Sequence, residues 1–341
     1  MSELHRDPSS GDWVIIAPGR AARPVFLDRK RVPRVPAPKA TCPFEHPEKT
    51  GNWPPVASYP AGTEKEVVKK WRILAFPNKY PILTHGKVCS IPFRRGLYEG
   101  RTGIGSHEIV ITREHMKNFG ALDAATAKAL FGMFQDRCRA AADDPCLVYV
   151  VPFFNWGPNA GASVWHPHYQ VLALPVVPGH SGQSLAGTRA YFAKHHRCVR
   201  CEAVRAEQKE KIRVVAENRN AIAITPFASK VPFEVRILPK RHYPYFYKTP
   251  AAVTGDVALL LQRVMRDLKQ RVNDPDLNFF IHEAPVDGKA HEYHHWHVEV
   301  LPRLTIPAGF EFSTGIFVDI VDPAEAAAIL RGKAKARPHY D

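Results

Sequence analysis

HEIVITREH (residues 107–115) and FEVRILPKRH (233–242) share one pattern: an acidic residue inside a β-branched run, then a histidine seven or eight positions later. Each is followed, about fifty residues on, by a second matched pair, HPHYQ (166–170) and HWHVE (295–299). Each is also preceded by a cysteine-bearing tetrapeptide, CPFE (42–45) and CVRC (198–201). Three coincidences in one order imply two copies of a single half-fold. The repeat divides the chain into residues 1–177 and 178–341, with the strands of both halves joined in one sheet.

Around the repeat, short β-branched and aromatic runs recur: WVIIAP (13–18), RILAF (72–76), CLVYVVPFF (146–154), HYQVLALPVV (168–177), AIAITPF (221–227), LNFFIHEAP (277–285) and HHWHVEVLP (294–302). All predict strands. Helical spacing of apolar residues predicts helices over 123–141, opened by Asp123, and over 254–272, with Leu260, Val264 and Leu268 on one stripe. Asp322-Pro323-Ala324-Glu325 reads as a capping box opening a third helix. The expected class is α+β with mostly antiparallel sheet. Residues 24–70 and 178–220 lack periodicity and read as irregular surface segments.

The chain has 341 residues, 45% hydrophobic and 23% charged, so wholesale disorder is excluded. No apolar run is long enough to span a membrane, and the start lacks the core of a secretion signal. A cytoplasmic protein is expected. A net charge of +14 favours an anionic partner such as a nucleotide, a sugar phosphate or nucleic acid. Against a nucleic-acid-binding protein, the basic residues are spread along the chain and no recognition module is present. Six cysteines are too few for a disulfide scaffold. Cys89, Cys138 and Cys146 read as isolated buried thiols, whereas Cys198 and Cys201 have the spacing of a metal knuckle.

In HPHYQ, a period of two places His166, His168 and Gln170 on one face, where burial would leave polar groups needing partners. The preceding run NWGPNAGAS (155–163) offers Gly157 and Gly161 for close backbone approach and the Ser163 hydroxyl, which suits a phosphate cradle. An imidazole beside such a cradle suggests nucleophilic attack on phosphorus. A hydrogen bond from Nδ1–H to a backbone carbonyl would fix its tautomer.

The pattern N-x-G, G-A-S, H-P-H-x-Q resembles that of galactose-1-phosphate uridylyltransferases, a branch of the histidine triad superfamily. Blocks at 6–24, 76–81, 226–242 and 294–303 fall in family order, so the resemblance spans nearly the whole chain. It implies two tandem histidine-triad-like half-folds related by a pseudo-twofold, and a homodimer. It implies ping-pong nucleotidyl transfer, with His168 as the nucleophile and Gln170 and Ser163 on the α-phosphate. Arg20, Arg23, Asn78, Asn155 and Gly161 would hold the nucleotide and its phosphates. A nucleoside diphosphate sugar would load His168 and release a sugar 1-phosphate. A second phosphorylated acceptor would take the nucleotide.

The resemblance also implies a structural zinc site at Cys198, Cys201, His242 and His295. A first site would use Cys42, Glu45, His115 and His166, with Glu45 where cysteine is expected, so that zinc or iron would suit it. In the acceptor segment 304–323, Glu311 and Phe310 remain, while Thr305 and Phe317 stand where lysine and glutamine are expected. This form resembles the branch containing ADP-glucose phosphorylase. The alternative function is accordingly phosphorolysis of ADP-glucose or a dinucleoside polyphosphate.

Overall fold

A computed structural model describes residues 2–22, 34–86 and 88–336. In chain order the elements are strands β1 (Glu3–Arg6), β2 (Trp13–Ile16) and β3 (Ala57–Tyr59), helix α1 (Glu64–Lys70), strands β4 (Ile73–Pro77), β5 (Pro92–Arg95), β6 (Tyr98–Arg101) and β7 (Ser106–Thr112), helix α2 (Ala124–Ala142), and strands β8 (Tyr149–Trp156) and β9 (His168–Leu174). Then come helices α3 (Gly179–His195) and α4 (Val199–Glu210), strands β10 (Val214–Glu217), β11 (Ala221–Ile224) and β12 (Val235–Pro239), helix α5 (Ala251–Arg271), strands β13 (Leu277–His282) and β14 (His297–Pro302), helix α6 (Gly309–Thr314), strand β15 (Phe317–Asp319) and helix α7 (Pro323–Leu330).

Ten strands form one sheet in the order β10-β11-β12-β14-β13-β8-β9-β7-β4-β3. Every pairing within it is antiparallel. The order is palindromic in element type about the β8–β13 seam, as a twofold between half-folds requires. At the seam Phe153 faces Phe280 and Phe154 faces Phe279. Behind it, Phe154 stacks on Tyr169 at 4.5 Å and lies 5.2 Å from Phe279, so the apolar core is continuous across the halves.

Helices α2 and α5 pack on that core and exchange matched ties. Gln135 of α2 donates to the carbonyls of Phe246 and Thr249, at 2.9 and 2.8 Å. Gln262 of α5 donates to those of Phe119 and Leu122, at 3.2 and 2.8 Å. These partners are separated by the same sequence offset as His115 and His242. A buried amide with satisfied carbonyl partners locks the helices in register without leaving an orphan polar group.

The two cap residues behave as expected. Asp123 accepts from the Thr126 amide, and Asp322 accepts from the Ala324 and Glu325 amides.

Five expectations change. Residues 178–220 are mostly helical, as α3 and α4. Their polar faces stay in solvent and only a few side chains, such as Leu185 and Val204, are buried, so no apolar stripe marks them. Cys89 and Cys146 form a disulfide with Cα atoms 4.8 Å apart, whereas Cys138 is a buried thiol as expected. The disulfide joins the segment carrying the β5–β6 hairpin to the turn after α2, where His85 also meets Asp144 at 2.6 Å.

The acidic match in the repeat is out of register: Ile109 faces Gln170 and Arg236 faces Glu299, which makes Glu234 the counterpart of His107, not of Glu108. Residues 2–16 dock on the second half rather than the first. There, β2 pairs with β15, Asp7 meets Arg236 at 2.6 Å, and the His5 ring stacks on Phe227 at 3.8 Å. The described part of 24–70 is a cover with a small core of its own, formed by Cys42, Phe44, Val67 and Trp71 against Leu74, Phe76, Ile109 and Ile111.

Among the described residues no helix is long and apolar enough to cross a membrane.

One buried carboxyl gives a stability prediction. Glu283 is 1% exposed and accepts from the Phe246 amide, while its other oxygen has no hydrogen-bond partner beside the Cys138 thiol. Burial pushes its carboxyl up to about 7. A raised carboxylic acid contributes stability below its unfolded value and loses it as pH rises through the folded one. Glu283→Gln is therefore expected to melt like the native chain near pH 4.5, and several degrees higher above pH 7, a gain of up to ~3 kcal/mol. Melting scans at both pH values would show it; a constant offset would refute this assignment.

Candidate active site and metal centres

The free face of the first half-sheet carries the His168 group. Strand β9 begins at His168, and its alternation keeps Tyr169 and Val171 in the core while His168 and Gln170 face the other way. Position 168 is 7% exposed, and burial holds its imidazole below the ordinary histidine value, so the ring is neutral near pH 7. Its Nδ1 lies 3.0 Å from the His166 carbonyl oxygen. A carbonyl only accepts, so Nδ1 carries the proton and Nε2 keeps the lone pair. Among the described residues Nε2 has no protein partner. Phe44 packs 5.4 Å from this ring and 5.8 Å from His166.

Gln170 is half-buried, with Oε1 2.8 Å from His107 Nε2, and Asn78 lies against the same imidazole. Extending the β8–β9 ladder one step past Phe154–Tyr169 brings Asn155 beside His168. Its Oδ1 accepts from Asn278, which also donates to the Ala160 carbonyl. The loop from Gly157 to Ser163 is pinned from below. Asp276 accepts from the Asn159 amide and side chain, at 2.8 and 2.9 Å. Gly157 has φ +86°, and a Cβ there would stand 2.0 Å from Asp276 Oδ1, so only glycine fits. Gly161, at φ +84°, and Ser163 are exposed on the loop's open side.

Arg34 was not anticipated. It pairs with Asp274 and Asp276 and lies over the Trp156 ring at 5.0 Å, strapping the N-terminal segment to the loop. Only the strand register and the fold reveal such a tie. Arg20 is exposed in the short turn Pro18–Ala22, and Arg23 lies outside the described residues. Glu311 and Phe310 lie on α6. There the Glu311 carboxylate accepts from the Ala308 amide, and neither residue hydrogen-bonds His168 or Gln170 among the described residues.

Both metal-ligand sets converge: in each, the four donor atoms lie within 4.8 Å of one another. In the first, His166 Nε2 donates to the Thr112 carbonyl at 2.7 Å and His115 Nε2 to that of Ala37 at 2.8 Å. Both Nδ1 lone pairs are thereby free and face each other at 3.3 Å. Cys42 Sγ is 3.6 Å from His166 Nδ1, and Glu45 Oε1 is 2.8 Å from His115 Nδ1. A tetrahedron with ordinary zinc bond lengths has N–N edges of about 3.3 Å and S–N edges of about 3.5 Å, so the residues fit the ion. In the second set Cys201 Sγ lies 3.3 and 3.4 Å from Nδ1 of His242 and His295. The neighbouring Cys201 thiol holds Cys198 well below the ordinary thiol value. Two sulfurs and two imidazoles would make a closed four-ligand set, the composition of structural rather than catalytic zinc sites.

The second half repeats the lock but not the site. His297 Nδ1 lies 3.3 Å from the His295 carbonyl, yet its Nε2 faces Glu299 at 3.2 Å. Glu299 in turn pairs with Arg236, and the cleft they line has a volume of only about 20 Å³. Among the described residues, only the first half offers an Nε2 without a protein partner.

Comparison with known proteins agrees with this geometry. Residues 101–333 match the family model described as "Domain of unknown function (DUF4921)". The chain is 31% identical over 334 residues to ADP-glucose phosphorylase of Arabidopsis thaliana, covering 96% of this chain and 92% of that protein. It is 26% identical over 341 residues to galactose-1-phosphate uridylyltransferase of Thermotoga maritima, covering 97% and 98%. The crystal structure of the Arabidopsis ADP-glucose phosphorylase with bound ADP-glucose superposes with a TM-score of 0.82 at 29% identity, covering 97% of this chain and 99% of that one. Matched over nearly its full length in sequence and in fold, the chain belongs both to the DUF4921 family and to the branch of the histidine triad superfamily that holds galactose-1-phosphate uridylyltransferases and ADP-glucose phosphorylase.

Proposed function

We propose that the protein is a nucleotidyltransferase working by double displacement through His168. The observation that carries this is the 3.0 Å contact of His168 Nδ1 with the His166 carbonyl, which leaves Nε2 as the free nucleophile beside Gln170 and the 157–163 loop. The Nε2 lone pair attacks the α-phosphorus of a nucleoside diphosphate sugar. An N–P bond forms, the bond to the bridging oxygen breaks, and sugar 1-phosphate leaves with that electron pair. Nδ1 keeps its proton throughout, so the loaded ring is cationic and a good leaving group. The His166 carbonyl stabilises that charge. An oxygen of the acceptor phosphate then attacks the same phosphorus, and the pair returns to Nε2. Arg20, Arg23, Asn78, Asn155, Gly161 and Ser163 hold the nucleotide and its phosphates, while Glu311 and Phe310 serve the acceptor.

Among donors, ADP-glucose with phosphate as acceptor is favoured by the higher identity to the phosphorylase and by Thr305 and Phe317 in the acceptor segment. UDP-glucose with a hexose 1-phosphate acceptor is the second reading, supported by the uridylyltransferase relative. In chain order residues 1–177 and 178–341 supply the two half-folds, with residues 2–16 crossing over to dock on the second. The metal sets are structural zinc sites, iron being the alternative at Glu45, and their residues hold the Cys42–Glu45 turn and the α3–α4 corner in place. We further propose a cytoplasmic homodimer.

Incubation with α-labelled ADP-glucose and, separately, α-labelled UDP-glucose tests the reaction. Protein-bound label from ADP-glucose, discharged by phosphate, is the expected result. Label from UDP-glucose alone, discharged by galactose 1-phosphate, would establish the second reading. Label from neither would remove both.

A further inference from the structure

Gln170 can serve a phosphate only if its amide nitrogen, a donor, faces the site, and the chain contains a device that decides this. Two backbone amides start it. The Tyr80 N–H donates to Asn78 Oδ1 at 3.0 Å, which turns the Asn78 amide nitrogen toward His107. The Ile82 N–H points at His107 Nδ1 at 3.2 Å, while Asn78 Nδ2 lies 3.2 Å from Nδ1 and 3.3 Å from Nε2 and does not choose between them. The Ile82 N–H can only donate, so Nδ1 must accept and the ring proton sits on Nε2. His107 Nε2–H then donates to Gln170 across 2.8 Å, and the atom facing it must be the oxygen. The Gln170 NH2 group is left turned to the open side of the sheet. The opposite arrangement would set an Nδ1–H against the Ile82 N–H and leave a donor pair facing each other at a ring only 5% exposed.

We propose that His107 is a positioning residue: its tautomer, set by the Ile82 N–H, fixes the amide orientation that makes Gln170 a phosphate donor. This rests on the reading of the site as one of nucleotidyl transfer. The second half supports the assignment by contrast. The counterpart of His107 is Glu234 and that of Gln170 is Glu299, two carboxylates joined through Arg236. No amide is presented in the half whose histidine is not free.

The expected kinetics follow from losing orientation rather than binding. His107→Ala should lower the rate of label transfer to His168 about 10- to 100-fold, with the donor KM changed less than about threefold. His107→Gln, whose amide can still donate to Gln170 Oε1, should recover most of the rate, and both variants should melt as folded proteins. In a Gln170→Ala background His107→Ala should cost nothing further. An equal cost in that background would overturn the proposal, because His107 would then act elsewhere. Long-range nitrogen–proton NMR of the histidine rings, with His107→Gln to assign the signal, tests the same claim without any substrate. An Nε2–H tautomer is expected, and an Nδ1–H tautomer would sink the proposal even in a fully active enzyme. If the native protein takes no label, the reaction reading fails, while the ring measurement still decides the orientation.

Discussion

A His168→Ala protein is expected to fold and melt like the native chain and to take no label from a nucleoside diphosphate sugar, a loss of at least about 10⁴-fold in rate. The size follows from the absence of a substitute. His166 is nearest in sequence, but its Nε2–H is spent on the Thr112 carbonyl and its Nδ1 belongs to the first metal set. His107 holds its proton on the nitrogen that faces Gln170. His297 repeats the carbonyl lock but faces Glu299. Fold should survive because, among the described residues, the ring makes only one hydrogen bond, and the strand beneath it is held by Tyr169 and Val171 in the core. Label that persists on the variant would show that the nucleotide travels by another residue or directly between substrates.

Much of this was legible in the sequence because it is written in local pattern. A period of two in HPHYQ gives the face that holds His168 and Gln170, the repeat announces two related halves, and the family resemblance implies both of the ligand sets that converge. What escaped depends on long-range register. The acidic match of Glu108 with Glu234 is a chance of composition, and only the ladder shows that His107 is the true counterpart of Glu234. The Cys89–Cys146 pair is 57 residues apart with no repeat to announce it. Arg34 reaches Asp276 from the far end of the chain, and the sequence gives no reason to pair them. The helices α3 and α4 were hidden by their own polarity, since a helix that buries few side chains carries little periodic signal. Gln135 and Gln262 did leave a trace, standing at the same offset as the paired histidines, but a lone glutamine in a helix gives no reason to look for its mate.

Cys198→Ser is expected to lower bound zinc by one ion per chain and the melting temperature by on the order of 10 °C. Its four ligands come from separate places: the start of α4, the loop after β12 and the residue two before β14. One ion held by them would tie the α3–α4 corner to the sheet. The imidazole donor atoms already face Cys201 at tetrahedral spacing, so binding releases its energy into the fold rather than into reordering the ligands. A serine hydroxyl is a far poorer ligand than a thiolate for a borderline-soft ion, and the remaining Cys-His-His set would leave a coordination position open. The effect should be confined to stability. His168, Gln170 and the 157–163 loop belong to the other half of the sheet, and at temperatures where the variant is folded its labelling rate should stay within about twofold of native. Metal analysis beside the melting scan separates the causes: a lower melting temperature with zinc per chain unchanged would mean that Cys198 packs but does not ligate. A labelling rate that fell with the zinc at low temperature would mean that the second half reaches the nucleophile through the seam at Phe153 and Phe280.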